Sequence, residues 1–164
     1  HDRQRPMSDI IVARKDSLGC ITLNRPKALN ALTYEMVQNI HEALKGFAED
    51  DGVKAVLVTG AGDRGLCAGG DIRSIYEAQL KGEDLPARFW RDEYIMNAYI
   101  ARYPKPYIAV MDGIVMGGGI GISAHGSHRI VTERTRAAMP VGTWTTTSPT
   151  PASTEAVIDP SSAG

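Results

Sequence analysis

Three observations predict an α/β fold. Two short runs rich in valine, alanine and methionine or leucine, residues 53–59 and 107–111, have the continuous apolar character of buried strands. Apolar residues also recur at helical spacing, most clearly at Met36, Val37, Ile40, Leu44 and Phe47. Strand-like and helix-like segments then alternate along the chain, the order expected of helices layered on a largely parallel sheet. No internal repeat aligns by eye, so the pattern gives the class and leaves the topology open.

Taken in order, residues 10–14 and 19–24 are short and apolar around the polar Lys15-Asp16-Ser17, which reads as a hairpin. After Arg25-Pro26, Thr33 is placed to cap the helix carrying Met36 to Phe47, and Gly52 follows its end. Residues 53–59 form a strand that runs into a glycine-rich stretch, Gly60-Ala61-Gly62-Asp63-Arg64-Gly65, then Cys67-Ala68-Gly69-Gly70-Asp71-Ile72, read as one strand-to-helix loop. Ile72, Ile75, Tyr76 and Leu80 predict a short amphipathic helix ended by Gly82 and Leu85-Pro86. A second helix covers about residues 87–102, and Pro104 and Pro106 precede the strand over 107–111. Asp112-Gly113 then turns the chain toward Met116-Gly117-Gly118-Gly119, where a helix begins at Gly118. Residues 128–132 and about 137–139 are extended.

Composition narrows the function classes. Eighteen basic residues against nineteen acidic give a net charge of −1 without a basic run, which argues against a nucleic-acid partner. No apolar stretch is long enough to span a bilayer, and the opening His1-Asp2-Arg3-Gln4-Arg5-Pro6 lacks the apolar centre of a secretion signal, so a cytoplasmic protein without a membrane partner is expected. Cys20 and Cys67 fit neither a disulfide framework nor a zinc spacing, and His41, His125 and His128 add no ligand set, so free thiols and no metal are expected. Residues 1–9 read as a flexible extension ahead of a domain over 10–140. From Val141 onward 13 of 24 residues are Ser, Thr or Pro, a composition that cannot repay its ordering entropy, so a disordered tail is expected over 141–164.

The chemistry lies in the two glycine clusters. Glycine admits close approach to the main chain, and N–H groups at a helix start carry partial positive charge, so two such turns on one sheet edge are suited to bind a developing oxyanion. Gly60-x-Gly62-x-x-Gly65 after a strand also fits the dinucleotide fingerprint. Against that reading, Gly69 and Gly70 interrupt the place where the helix would run, and Glu83 and Asp84 fall in a loop instead of at the end of a second strand.

The stretches Leu23-Asn24-Arg25-Pro26-Lys27-Ala28-Leu29-Asn30-Ala31-Leu32, Cys67-Ala68-Gly69-Gly70-Asp71-Ile72 and Met116-Gly117-Gly118-Gly119 resemble the enoyl-CoA hydratase/isomerase, or crotonase, superfamily over about residues 10–140. Phe89-Trp90-Arg91-Asp92-Glu93-Tyr94, Lys105-Pro106-Tyr107 and the segment from Gly119 to Gly126 are most similar to the 3-hydroxyisobutyryl-CoA hydrolases within it. The resemblance implies a ClpP/crotonase-like spiral of strand-strand-helix units and a thioesterase of valine catabolism. It implies that the N–H groups of Gly70 and Gly118 form the oxyanion hole and that Glu93 contacts the acyl hydroxyl, with Gly118 also at the substrate. Lys27, Ala28, Leu29, Ala68, Gly69, Asp71 and Ile72 would line the path of coenzyme A, which is part of the substrate; no separate cofactor is implied.

Gly121 stands where hydratases of the superfamily carry a catalytic glutamate, so water addition to a double bond is disfavoured. The hydrolases draw a carboxylate from a glutamate directly after Met-Pro and an aspartate further on, whereas Met139-Pro140 is followed here by Val141. By that comparison the chain is expected to be truncated after Pro140, without the family's trimer-forming homo-oligomer elements. An enoyl-CoA hydratase-like protein and a catalytically inactive CoA-binding fragment are the competing readings.

Overall fold

Ile10–Lys15 (β1) and Leu18–Leu23 (β2) pair antiparallel, with Asp16 in the left-handed region at φ 53° to close the turn. They open the computed structural model, which describes residues 8–139; residues 1–7, most of the expected extension, and the segment from 140 onward, with the expected disordered tail, lie outside the described residues. Asp9 precedes β1 directly, and its carbonyl accepts a 2.7 Å bond from the N–H of Asn24.

Two parallel arrays follow from the hairpin. Ala55–Gly60 (β3), Tyr107–Met111 (β5) and His128–Val131 (β7) extend β2 into a five-stranded sheet ordered β1-β2-β3-β5-β7, parallel from β2 onward. Gly65–Cys67 (β4), Ile114–Met116 (β6) and Arg136–Ala138 (β8) make a second, three-stranded parallel sheet ordered β4-β6-β8. Each pass therefore gives one strand to the large sheet and the next to the small one, and the Leu32↔Gly70 bridge supplies the first pass with its equivalent. This is the strand-strand-helix spiral that the family resemblance implied.

The predicted single loop between residues 60 and 72 is corrected here, since β4 lies inside it. β6 likewise falls where the sequence reads only as a turn toward the second glycine cluster. Three residues hold too little pattern to signal a strand; β4 and β6 exist because they pair with each other. The two glycine turns consequently share an edge of the small sheet, one strand apart, and not of the large one. The alternating burial of β3 and β5 also differs from the expected two-sided burial: Val56, Val58, Tyr107 and Ala109 are sealed, while the residues between them are half-buried.

Tyr34–Glu49 (α1) starts where Thr33 accepts a bond from the Met36 N–H at 3.2 Å, and its five apolar residues at helical spacing are all in the core. Ile72–Leu80 (α2) has the predicted period but buries only Ile75 and Ala78; Ile72 and Leu80 are 73% and 69% exposed. Leu85–Ala101 (α3) begins at the Leu85-Pro86 pair expected to lie in a break, because proline is tolerated in the first turn, where its missing N–H has no partner to lose. Gly118–Ala124 (α4) follows β6. No helix among the described residues is long and apolar enough to cross a membrane, and both cysteines are free, as expected.

Candidate active site

The first turn is braced by hydrogen bonds. Beyond β4 the Ala68 N–H donates to Leu29 O at 3.0 Å, and Leu32 bonds to both sides of Gly70, giving its N–H to Gly69 O and accepting from Asp71 N, each at 2.7 Å. Gly69 stands at φ +117°, a conformation open to a residue without Cβ. The Cys67 sulfur accepts the Gly69 N–H at 3.4 Å, and its thiol, pushed by burial up to about 12, stays protonated and reaches Gly69 O. Asp71 caps α2 through Ser74 N and pairs with Arg25 at 3.0 Å. Asn30, buried at φ 55°, accepts from Arg25 N and donates to Ala61 O and Gly65 O, so that one side chain ties the two loops together.

The second turn is braced by close packing. Gly117, at φ +49°, swings the chain from β6 into α4. A methyl group on Gly119 would run into the Cys67 carbonyl, so α4 lies directly against β4. Tyr107, wholly buried, donates its hydroxyl to Ile122 O at 2.5 Å and anchors the far side of the helix.

The two turns meet over one face of α3. A methyl group on Gly118 would stand 3.6 Å from the carbonyl carbon of Gly69. Gly70 lies over the Phe89 ring, where an added Cβ would be 3.4 Å away, and Gly118 faces Glu93, whose Oε1 would be 2.7 Å from such an atom. Gly121, one turn further along α4, faces the carboxamide of Asn97. Phe89, Glu93 and Asn97 are spaced by four residues, hence stacked on one helix face. Among the described residues, the N–H groups of Gly70 and Gly118 donate to no protein acceptor, and Gly118 opens a helix, where an unpaired N–H is expected. Two donors without an acceptor among the described residues thus lie on the two turns that meet over α3, beside Phe89 and Glu93.

Glu93 is only 7% exposed, and burial raises its carboxyl above the usual carboxylate value. Taken from the residues alone, it reads more readily as a solvated carboxylate on a helix face; packing of α3 against α4 makes it an inward group instead. Asp92, beside it in sequence, is held below its ordinary value chiefly by the Tyr34 hydroxyl, 2.5 Å away, and points to α1.

Sequence-predicted residues fall into two places. Gly69, Gly70, Gly118 and Glu93 come together at the junction of the turns. Lys27 and Ala28, in a 3₁₀ turn over Pro26–Ala28, line an open groove of about 370 Å³ with Asp9, Asn24, Arg25 and Pro26. Leu29 and Ala68 are joined by the backbone bond described above and connect the two places. The Asp71 carboxylate is already engaged by Arg25 and the α2 cap, and Ile72 is exposed at the start of α2. The stretch around Gly60, Gly62 and Gly65 borders a cavity of only about 100 Å³, below the roughly 300 Å³ at which small-molecule sites begin, and leads into β4 instead of a helix, which removes the dinucleotide reading. Asn97 lies outside the sequence motifs, and Phe89 and Asn30 lie within them without a role assigned by sequence; the spacing of Phe89 and Asn97 about Glu93 is the available signal.

The chain belongs to the enoyl-CoA hydratase/isomerase (crotonase) family, whose pattern matches residues 18–143. Among curated relatives it is 49% identical to the mitochondrial 3-hydroxyisobutyryl-CoA hydrolase of Danio rerio over 81% of this chain and 35% of that protein, and 45% identical to the one from Rattus norvegicus over 81% and 34%. It thus spans about a third of the length of these relatives. Among solved structures, a carnitinyl-CoA dehydratase from Mycobacterium thermoresistibile superposes with a TM-score of 0.78 at 55% identity, covering 82% of this chain and 39% of that one. An enoyl-CoA hydratase from Rhodobacter sphaeroides does so at 0.78 and 45%, covering 81% and 40%.

Proposed function

We propose that this chain binds a short-chain hydroxyacyl-CoA thioester, with 3-hydroxyisobutyryl-CoA as the substrate, and contributes the oxyanion hole for its hydrolysis to 3-hydroxyisobutyrate and CoA, a step of valine catabolism. The observation behind this reading is the meeting over α3 of two turns whose Gly70 and Gly118 N–H groups have no acceptor among the described residues. The thioester oxygen accepts both; as water attacks the carbonyl carbon and charge gathers on that oxygen, the two bonds strengthen. Removing one such donor costs on the order of 3 kcal/mol of barrier lowering. The pantetheine arm runs along Leu29 and Ala68, and Lys27 and Ala28 in the open groove receive the nucleotide end. Asp71 supports this path through Arg25, with Ile72 at its rim. Glu93 takes the acyl hydroxyl. Burial raises its carboxyl above the ordinary value, which disfavours negative charge beside the developing oxyanion.

The names of the curated relatives favour hydrolysis and a mitochondrial location over the cytoplasmic one expected from the opening residues. The titles of the solved structures favour hydration or dehydration. Gly121 speaks against the latter, since the family's carboxylate there has no counterpart and the space is filled by Asn97. A third reading, binding without turnover, is favoured by Val141 in the place of the hydrolases' glutamate. Free CoA thiol release from 3-hydroxyisobutyryl-CoA, absorbance loss from crotonyl-CoA, and CoA affinity separate the three. Thiol release above that of a Gly118→Pro variant supports hydrolysis; affinity with neither reaction supports binding alone; no affinity removes all three.

A further inference from the structure

Both N–H groups of the two turns belong to peptide units whose own carbonyl is doubly engaged. The Gly70 N–H shares its peptide with Gly69 O, which accepts the Leu32 N–H at 2.7 Å and the Cys67 thiol at 3.6 Å. The Gly118 N–H shares its peptide with Gly117 O, which accepts the Ile120 and Gly121 N–H groups at 2.9 and 3.2 Å. A hydrogen bond received at a carbonyl draws electron density through the conjugated amide and makes the N–H of the same unit a stronger donor. Three of these four bonds come from the backbone; among the described residues, Cys67 supplies the one that comes from a side chain. Its setting suits the task. Cys67 and Gly69 are buried, which seals their bond from water, while Gly70 and Gly118 keep part of their surface exposed. The Cys67 sulfur accepts the Gly69 N–H at 3.4 Å and so stays beside the carbonyl to which it donates. Burial lifts the thiol to about 12, and it keeps the donated proton at neutral pH. The Cys67 carbonyl lies against Gly119, so the residue is held between the two turns.

We propose that Cys67 is a positioning residue that strengthens the Gly70 donor: its S–H bond to Gly69 O polarises the peptide unit whose N–H receives the thioester oxygen. The inference rests on the proposed binding of an acyl-CoA thioester at Gly70 and Gly118 and names the side chain that tunes that site. The coupling runs in both directions. A ligand oxygen that accepts the Gly70 N–H makes Gly69 O a better acceptor in turn, and the thiol bond tightens when the site fills. A cysteine kept there only to fill space would register neither change.

The test is infrared difference spectroscopy of the chain with a carbonyl-labelled isobutyryl-CoA thioester, reading the bound carbonyl band and the thiol S–H band together. The chain's other thiol, Cys20 in β2, is removed by Cys20→Ala so that one S–H band remains. That band is expected to move to lower frequency when the thioester binds, a measurement that leaves Cys67 itself unaltered and decides the matter where its variants do not fold. Cys67→Ala is expected to lose about a tenth of the lowering of the carbonyl band. Cys67→Ser, which removes the same sulfur and keeps a donor, is expected to retain it, whereas loss of packing alone would act on both small variants alike. A carbonyl band that is lowered while the S–H band stays still, or that responds equally to alanine and serine, overturns the role of Cys67 and leaves the proposed function standing. A thioester that fails to bind, or binds without any lowering of its carbonyl band, overturns the proposed function and this inference with it.

Discussion

The two glycine turns are held where they meet over α3 by different physical means. The turn over Gly69 and Gly70 is held by directional bonds, from Asn30, Leu32, Cys67 and the Arg25–Asp71 pair. The turn over Gly117 and Gly118 has backbone bonds, from Gly117 N–H to Ala138 O and from the Ile120 and Gly121 N–H groups to Gly117 O, but no side chain ties it; it is fixed by contact among the described residues, with α4 pressed on the Cys67 carbonyl and on Glu93 and Asn97 of α3. The first should fail by loss of single side chains, the second by addition of single atoms. Four changes test this asymmetry, in falling order of effect.

Asn30→Ala removes three hydrogen bonds at a buried position and sets an alanine at positive φ, and is expected to lower unfolding stability by about 4 kcal/mol in urea denaturation. Gly119→Ala adds one methyl against backbone that cannot step aside, and should lose about 3 kcal/mol by the same measurement. An Arg25→Ala, Asp71→Ala double-mutant cycle should return a coupling near 1.5 kcal/mol, since the pair is partly buried. A coupling near zero would make the first turn as dependent on packing as the second.

Glu93→Gln is expected to have the smallest effect and the opposite sign. The carboxyl is raised in the folded chain by burial, so the folded state binds more protons than the unfolded one between the ordinary value of 4.5 and the raised value. Stability from this group is therefore lost as pH rises through that window. The glutamine variant should melt a few degrees higher at pH 7, with the gain vanishing below pH 4.5. A gain independent of pH would contradict the assignment of its cause to a buried charge.

Legibility in the sequence follows the same division. The hairpin, α1 and the strands over 55–60 and 107–111 came from local signals: a turn, the Thr33 cap, a helical period, apolar runs. The motif residues Gly70 and Gly118 were found because glycine clusters are conspicuous. β4 and β6 were not readable, because three-residue strands are specified by partners far along the chain. The spiral repeat was invisible because its passes differ in length and sequence and share only their route between sheets. Spacing in α2 gave the correct helix but only part of its buried face: Ile75 is in the core, while Ile72, Tyr76 and Leu80, which share its period, are exposed. Glu93 and Asn97 mislead in the other direction: polar residues on a helix look solvated until a second helix of glycines is laid over them.

The most direct test of a shared oxyanion site is the stretching frequency of a carbonyl-labelled isobutyryl-CoA thioester bound to the chain, read by isotope-edited infrared difference spectroscopy. Two N–H donors at Gly70 and Gly118 should polarise the carbonyl and move its band to lower frequency than in water. A bound thioester with its band at or above the aqueous position would show that the two turns meet without acting on the carbonyl, and would contradict the account.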